Sequence, residues 1–151
     1  FELGRNVFGE PSPGMNGTGK INESELVPIF YAGGEITPLP ELPFQAQKCF
    51  DRMEYVLKVN RCTKEYNVSF QNQDAWENKI WGISGDEVKI THDNSRNSDL
   101  TMNLFKSDDG NVYTVFASIS DQGHECRYHT CEHAWQFLSK FARENGKIVI
   151  K

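Results

Sequence analysis

The residues of this chain best suited to chemistry are packed into Ser118–Trp135, SISDQGHECRYHTCEHAW. A strongly apolar strand, Val112–Ile119, runs into a Gly-His loop and then into an amphipathic helix. Loops at the carboxyl ends of strands line the ligand crevice of open α/β sheets, so His124 is expected at a site and not in the core. Gly123, lacking a Cβ, lets another chain segment come close. An imidazole in that position can take and return a proton near neutral pH, which is the chemistry of a general base. A solvent-exposed loop histidine is the competing reading, and spacing alone leaves both open.

The same run holds a second possibility. His124, Cys126, His129, Cys131 and His133 are the ligand types of tetrahedral zinc. Structural zinc sites draw a second ligand pair from a distant segment, whereas here one short run would wrap the ion alone or recruit Cys49, Cys62 or His92. A local disulfide between Cys126 and Cys131, bracing the loop after His124, is the alternative for the two thiols. The pairing of the four cysteines is left open.

The elements that must position these residues follow from periodicity. Leu26–Ala32 (LVPIFYA) is an apolar run that stops at Gly33-Gly34, the pattern of a strand buried on both faces. A Pro-rich turn at Pro38–Pro43 leads to Phe44–Asn60, where Phe44, Cys49, Phe50, Met53, Val56 and Leu57 recur at helical spacing. Further on the period becomes two. Val88, Ile90 and His92 alternate with polar residues, as do Leu100, Met102 and Leu104, with a turn at Asp93–Asp99, so a hairpin with one buried face is expected. A helix over Cys131–Glu144 is stopped by Asn145-Gly146, and Ile148–Ile150 can form a short edge strand. Residues 1–25, with Pro11, Pro13, Gly14, Gly17 and Gly19 close together, read as a linker or long surface loop. The remainder, 26–151, reads as one α/β domain.

Composition excludes several classes. With 38% apolar and 25% charged residues the chain suits a folded domain. A net charge of −5 with scattered basic residues gives no footprint for nucleic acid. No apolar run approaches the roughly 20 residues that span a bilayer.

Tyr113–His124 (YTVFASISDQGH), followed by a helix containing Ala134-Trp135-Gln136-Phe137-Leu138, resembles the end of the polyhydroxybutyrate depolymerase and feruloyl esterase group of α/β-hydrolases. Val27–Gly34 (VPIFYAGG) resembles the strand leading to the catalytic acid there, and Trp81–Phe105 the extra hairpin before the histidine strand. The resemblance implies the C-terminal part of an α/β-hydrolase: a mixed sheet with flanking helices and an inserted β-hairpin. It implies a serine esterase acting on a small-molecule or polymeric ester, secreted or at the cell surface, with no cofactor or metal. His124 would be the general base. The acid position carries no Asp, and Glu35 is the expected acid, with Glu41 in reserve.

The nucleophile elbow Gly-x-Ser-x-Gly is not found in this chain. The nearest match, Gly82-Ile83-Ser84-Gly85-Asp86, lacks the last glycine and lies between strand-like segments, so Ser84 reads as a turn residue. The serine is expected in a preceding half of the parent protein. Residues 1–151 alone are expected to be inactive, and to dimerise through exposed sheet edges. A non-catalytic carbohydrate or cell-surface binding module, reading with Tyr66, Phe70, Trp76 and Trp81, is the alternative from another class.

Overall fold

The computed structural model describes residues 25–36, 46–69, 71–123 and 125–151. Residues 1–24 of the expected linker, the Pro-rich turn, Glu41, Phe70 and His124 lie outside the described residues, as does the side chain of Cys49.

The architecture is mixed α/β. Strand β1 (Ile29–Gly34) precedes helix α1 (Ala46–Val59), the hairpin β2 (Glu87–Asp93) and β3 (Ser98–Lys106), strand β4 (Val112–Ile119) and helix α2 (Tyr128–Leu138). Strands β5 (Phe141–Glu144) and β6 (Lys147–Ile150) close the chain. The main sheet has four strands in the order β1-β4-β3-β2. β1 and β4 run parallel, whereas β4–β3 and β3–β2 are antiparallel.

The α1 side of the sheet carries the larger core. Phe50, Met53, Val56 and Leu57 fall on one stripe of α1 because successive helical residues turn by about 100°, and all four are buried. They pack with Ile80, Trp81, Ile83, Phe105 and Phe116. Phe116 is fully buried, with ring centroids of Phe105, Trp81 and Tyr31 at 5.0, 5.5 and 5.9 Å. Asn60, just past α1, is buried and ties the helix to the sheet. Its amide donates to the Val27 carbonyl (2.8 Å) and the Thr114 hydroxyl (2.7 Å), and its Oδ1 accepts from the Val27 N–H (2.8 Å). The opposite face buries Leu100, Met102, Val115, Ala117 and Ile119, with Phe137 of α2 packed against them.

Three elements differ from expectation. β1 starts and ends later than Leu26–Ala32, and its residues are mostly half-buried, because it is an edge strand of the described sheet and not a central one. The hairpin forms, but its two apolar rows do not share a face. Residues directly opposite one another across a strand pair point to the same side, and Val88 and Ile90 lie opposite Asn103 and Thr101. Leu100, Met102 and Leu104 instead oppose Thr91, Lys89 and Glu87. Val88 and Ile90 are therefore exposed.

The last helix begins at Tyr128 and stops at Leu138, short of Glu144. Asn145-Gly146 is not a helix stop but the two-residue turn of the β5–β6 hairpin, with φ of 50° and 82°. Positive φ at both central positions is what a type I′ hairpin turn requires. Phe141, freed from the helix, packs its ring against both Phe137 and Tyr113, at 5.3 and 5.5 Å. The short strand expected at Ile148–Ile150 is present as β6.

Candidate functional site at the carboxyl ends of the parallel strands

β1 and β4 are neighbours and parallel, so their carboxyl ends emerge side by side, with Gly34 opposite Ile119. Pairing continues beyond the strands. The Glu35 N–H donates to the Ile119 carbonyl and the Ile36 N–H to the Gln122 carbonyl, both at 2.9 Å. Gly34 is buried against the Gln122 and Gly123 carbonyls, and a Cβ at this position would overlap both. Glycine is thus the residue that lets the loop after β4 dock on the end of β1.

That loop is braced from several sides. Asp121 leaves β4 with φ of 51°, a left-handed conformation for which Asp is one of the better-tolerated side chains. Its role is the shape of the loop. Gln122 is buried, and its Nε2 donates to the Glu125 carbonyl at 2.7 Å, spanning position 124. The Glu125 N–H donates to the Gly123 carbonyl at 3.0 Å. Among the described residues the buried Gln122 Oε1 accepts no hydrogen bond. Arg127, its side chain mostly buried, donates to the Asp121 carbonyl (2.7 Å), the Ser98 hydroxyl (3.1 Å) and Glu125 Oε1 (2.6 and 2.9 Å). Main chain on both sides of His124 is therefore held, and held against the segment that carries Glu35.

Glu35 is mostly buried and pairs with Lys79, Oε2 to Nζ 3.2 Å. Lys79 arrives on a turn fastened to β4. Asn78 Oδ1 accepts from the Ile80 and Trp81 N–H groups, its Nδ2 donates to the Ser118 hydroxyl (3.3 Å), and the Trp81 indole N–H donates to the Ala117 carbonyl (2.7 Å). Ser84 follows on the same turn, its N–H donating to Glu77 Oε2 at 2.9 Å, and the next regular element is β2. It does not stand on a strand-to-helix elbow.

The remaining candidates separate into pairs. His129 and His133, one turn apart on α2, direct their Nε2 atoms at the Thr91 hydroxyl, at 3.1 and 3.3 Å. Partial burial, reinforced by His129, lowers the His133 pKa, while Glu132 opposes this. Cys126 and Cys131 touch one another, Sγ to Sγ 3.1 Å. Among the described residues no three His, Cys, Asp or Glu side chains converge as metal ligands. Cys62 lies apart, half-buried beside Thr114, and burial pushes its thiol up to about 11.

Of the four aromatics of the expected platform, Trp81 is buried, Tyr66 and Trp76 are half-buried, and Phe70 lies outside the described residues. The Tyr66 hydroxyl donates to the Trp81 carbonyl at 3.0 Å, and both Tyr66 and Trp76 pack on Phe50. Burial raises the Tyr66 phenol well above its ordinary value.

Two residues were not singled out by pattern. One is Arg127, the brace of the loop. The other is Asp99, which pairs with His92 across the β2–β3 hairpin, Nδ1 to Oδ1 2.7 Å, both side chains about half exposed. Hairpin register could have found this pair, since residues equidistant from the turn face one another.

Comparison with protein-family models, with curated proteins and with solved structures finds no match to this chain. Among the described residues no helix is long and apolar enough to cross a membrane.

Proposed function

We propose that this chain supplies the acid and the base of a serine carboxylic ester hydrolase of the α/β-hydrolase type, with His124 as general base and Glu35 as the carboxylate that orients it. The observation that carries the reading is the docking of Gly34-Glu35 against Gln122-Gly123 at the carboxyl ends of two adjacent parallel strands. Segments about 90 residues apart in sequence are thereby joined where α/β sheets hold their ligands.

In this mechanism a serine outside residues 1–151 attacks the ester carbonyl. His124 takes its proton and passes it to the leaving alcohol. Glu35 accepts the hydrogen bond of the second ring nitrogen and stabilises the imidazolium. Lys79 does not block that role, because an ion pair with a largely exposed lysine contributes only about 0–1 kcal/mol and an imidazole can compete for the carboxylate. The apolar β1, an edge strand among the described residues, is the place at which the rest of a larger sheet would add. In residues 1–151 alone a second copy can cover that edge.

The test uses the full-length parent protein and a fluorophosphonate probe, which labels an activated serine. Labelling is expected at a serine outside residues 1–151, with loss of labelling and of aryl-ester turnover in His124→Ala and a large loss in Glu35→Gln. Labelling of Ser84, full activity in His124→Ala, or turnover by residues 1–151 alone would each overturn the proposal.

A further inference from the structure

Cys126 and Cys131 stand on either side of the junction where the loop after β4 becomes α2. Both are exposed thiols, and their sulfurs are 3.1 Å apart. A disulfide measures about 2.05 Å, so about 1 Å of approach converts this contact into a bond. The backbone between them is already set. Arg127 is anchored to Ser98, Asp121 and Glu125, and its carbonyl accepts the Cys131 N–H at 3.1 Å. The contact thus joins two positions on a braced segment.

The Nε2 atoms of His129 and His133 are directed at the Thr91 hydroxyl. Cys62 provides the contrast within the same chain. It is half-buried, hydrogen-bonded to Thr114, and its thiol is pushed up to about 11, so it is a poor nucleophile at neutral pH.

We propose that Cys126 and Cys131 form a reversible dithiol–disulfide site, oxidised by a low-molecular-weight disulfide, whose bond staples the loop after β4 to the first turn of α2. One thiolate attacks the small disulfide, forming a mixed disulfide and releasing one small thiolate, which takes up the proton the cysteine lost. The second cysteine, deprotonated in turn, attacks the protein-side sulfur of the mixed disulfide. The Cys126–Cys131 bond forms and the second small thiol departs with that proton. Two electrons pass from the protein to the small disulfide, and excess thiol reverses the sequence. The hydrogen bond with Cys126 raises the Cys131 pKa, and either sulfur can be the donor of the contact. The inference stands independently of the ester-hydrolase reading.

The test exploits Arg127, which lies between the two cysteines. The full chain is treated with oxidised glutathione, its remaining thiols are alkylated, and it is digested with trypsin without reduction. Cleavage after Lys106, Arg127 and Lys140 puts Cys126 and Cys131 on separate peptides, 107–127 and 128–140. The expected result is that these two peptides run as one linked species from monomeric protein. Dithiothreitol should separate them, and Cys62 should remain alkylatable. In Cys126→Ser, Cys131 should stop at the glutathione adduct. Alkylation of both cysteines after oxidation, a stable glutathione adduct on the unsubstituted chain, linkage to Cys49 or Cys62, or a linked pair found only in a covalent dimer would overturn it.

Discussion

Gly34 and Gln122 meet so closely that the Cβ of any other residue at position 34 would lie on the Gln122 carbonyl. The contact sets the distance between the end of β1 and the loop leading to position 124. Because the opposing atoms are main chain, no rotamer change can relieve the overlap.

Gly34→Ala is therefore expected to push the loop off β1 and break the hydrogen bond from the Ile36 N–H to Gln122. Overpacking of this kind costs about 1–3 kcal/mol, read as a lower denaturant midpoint. On the proposed ester-hydrolase reading, ester turnover by the parent protein should fall with it. Gly110→Ala is a control, since a Cβ there meets no atom and only its positive φ is penalised. Equal stability of Gly34→Ala and the unsubstituted chain would refute the docking.

Phe116 holds the aromatic core together from the centre of β4. Phe116→Ala removes a fully buried ring from contact with Phe105, Trp81 and Tyr31, and truncations of this type cost about 3–5 kcal/mol. Equilibrium unfolding in urea measures the loss. A loss under about 1 kcal/mol would mean that the ring is not buried as described.

His133 gives a pH dependence with a definite sign. Its folded pKa lies below the ordinary 6.5, through partial burial first and the adjacent His129 second, against the opposing pull of Glu132. Between the folded value and 6.5 the unfolded chain binds more protons than the native one. Stability is therefore full above about 6.5, declines as pH falls from there, and levels off below the folded value. The urea midpoint followed through that window should show the decline, and His133→Gln should diminish it. An undiminished slope in the variant would assign the effect elsewhere.

Much of the fold was legible in the residues. The stripe Phe50, Met53, Val56 and Leu57 has only one helical face to occupy, and a helix follows. VYTVFASI could only be a buried strand, and β4 is the most buried strand of the sheet. Asn145-Gly146 carried the hairpin signal as strongly as the helix-stop signal, and local sequence could not choose between them. Pairing of β5 with β6, and of Phe141 with Tyr113, decided it.

The site divides along the same line. Sequence by itself determined that a histidine follows a buried strand, that a glycine pair followed by Glu35 ends an earlier one, and that thiols and imidazoles crowd the stretch from that histidine to His133. Those are local properties, set by side-chain type and period. Only the tertiary structure decided that Gly34 abuts Gln122, that Glu35 pairs with Lys79, that Val88 and Ile90 face away from Leu100 and Met102, and that the thiols and imidazoles sort into separate pairs. Each of these depends on strand order and register. A one-residue change of register turns every side chain of a strand to its other face, so they are properties of the whole sheet and cannot be read from any one segment.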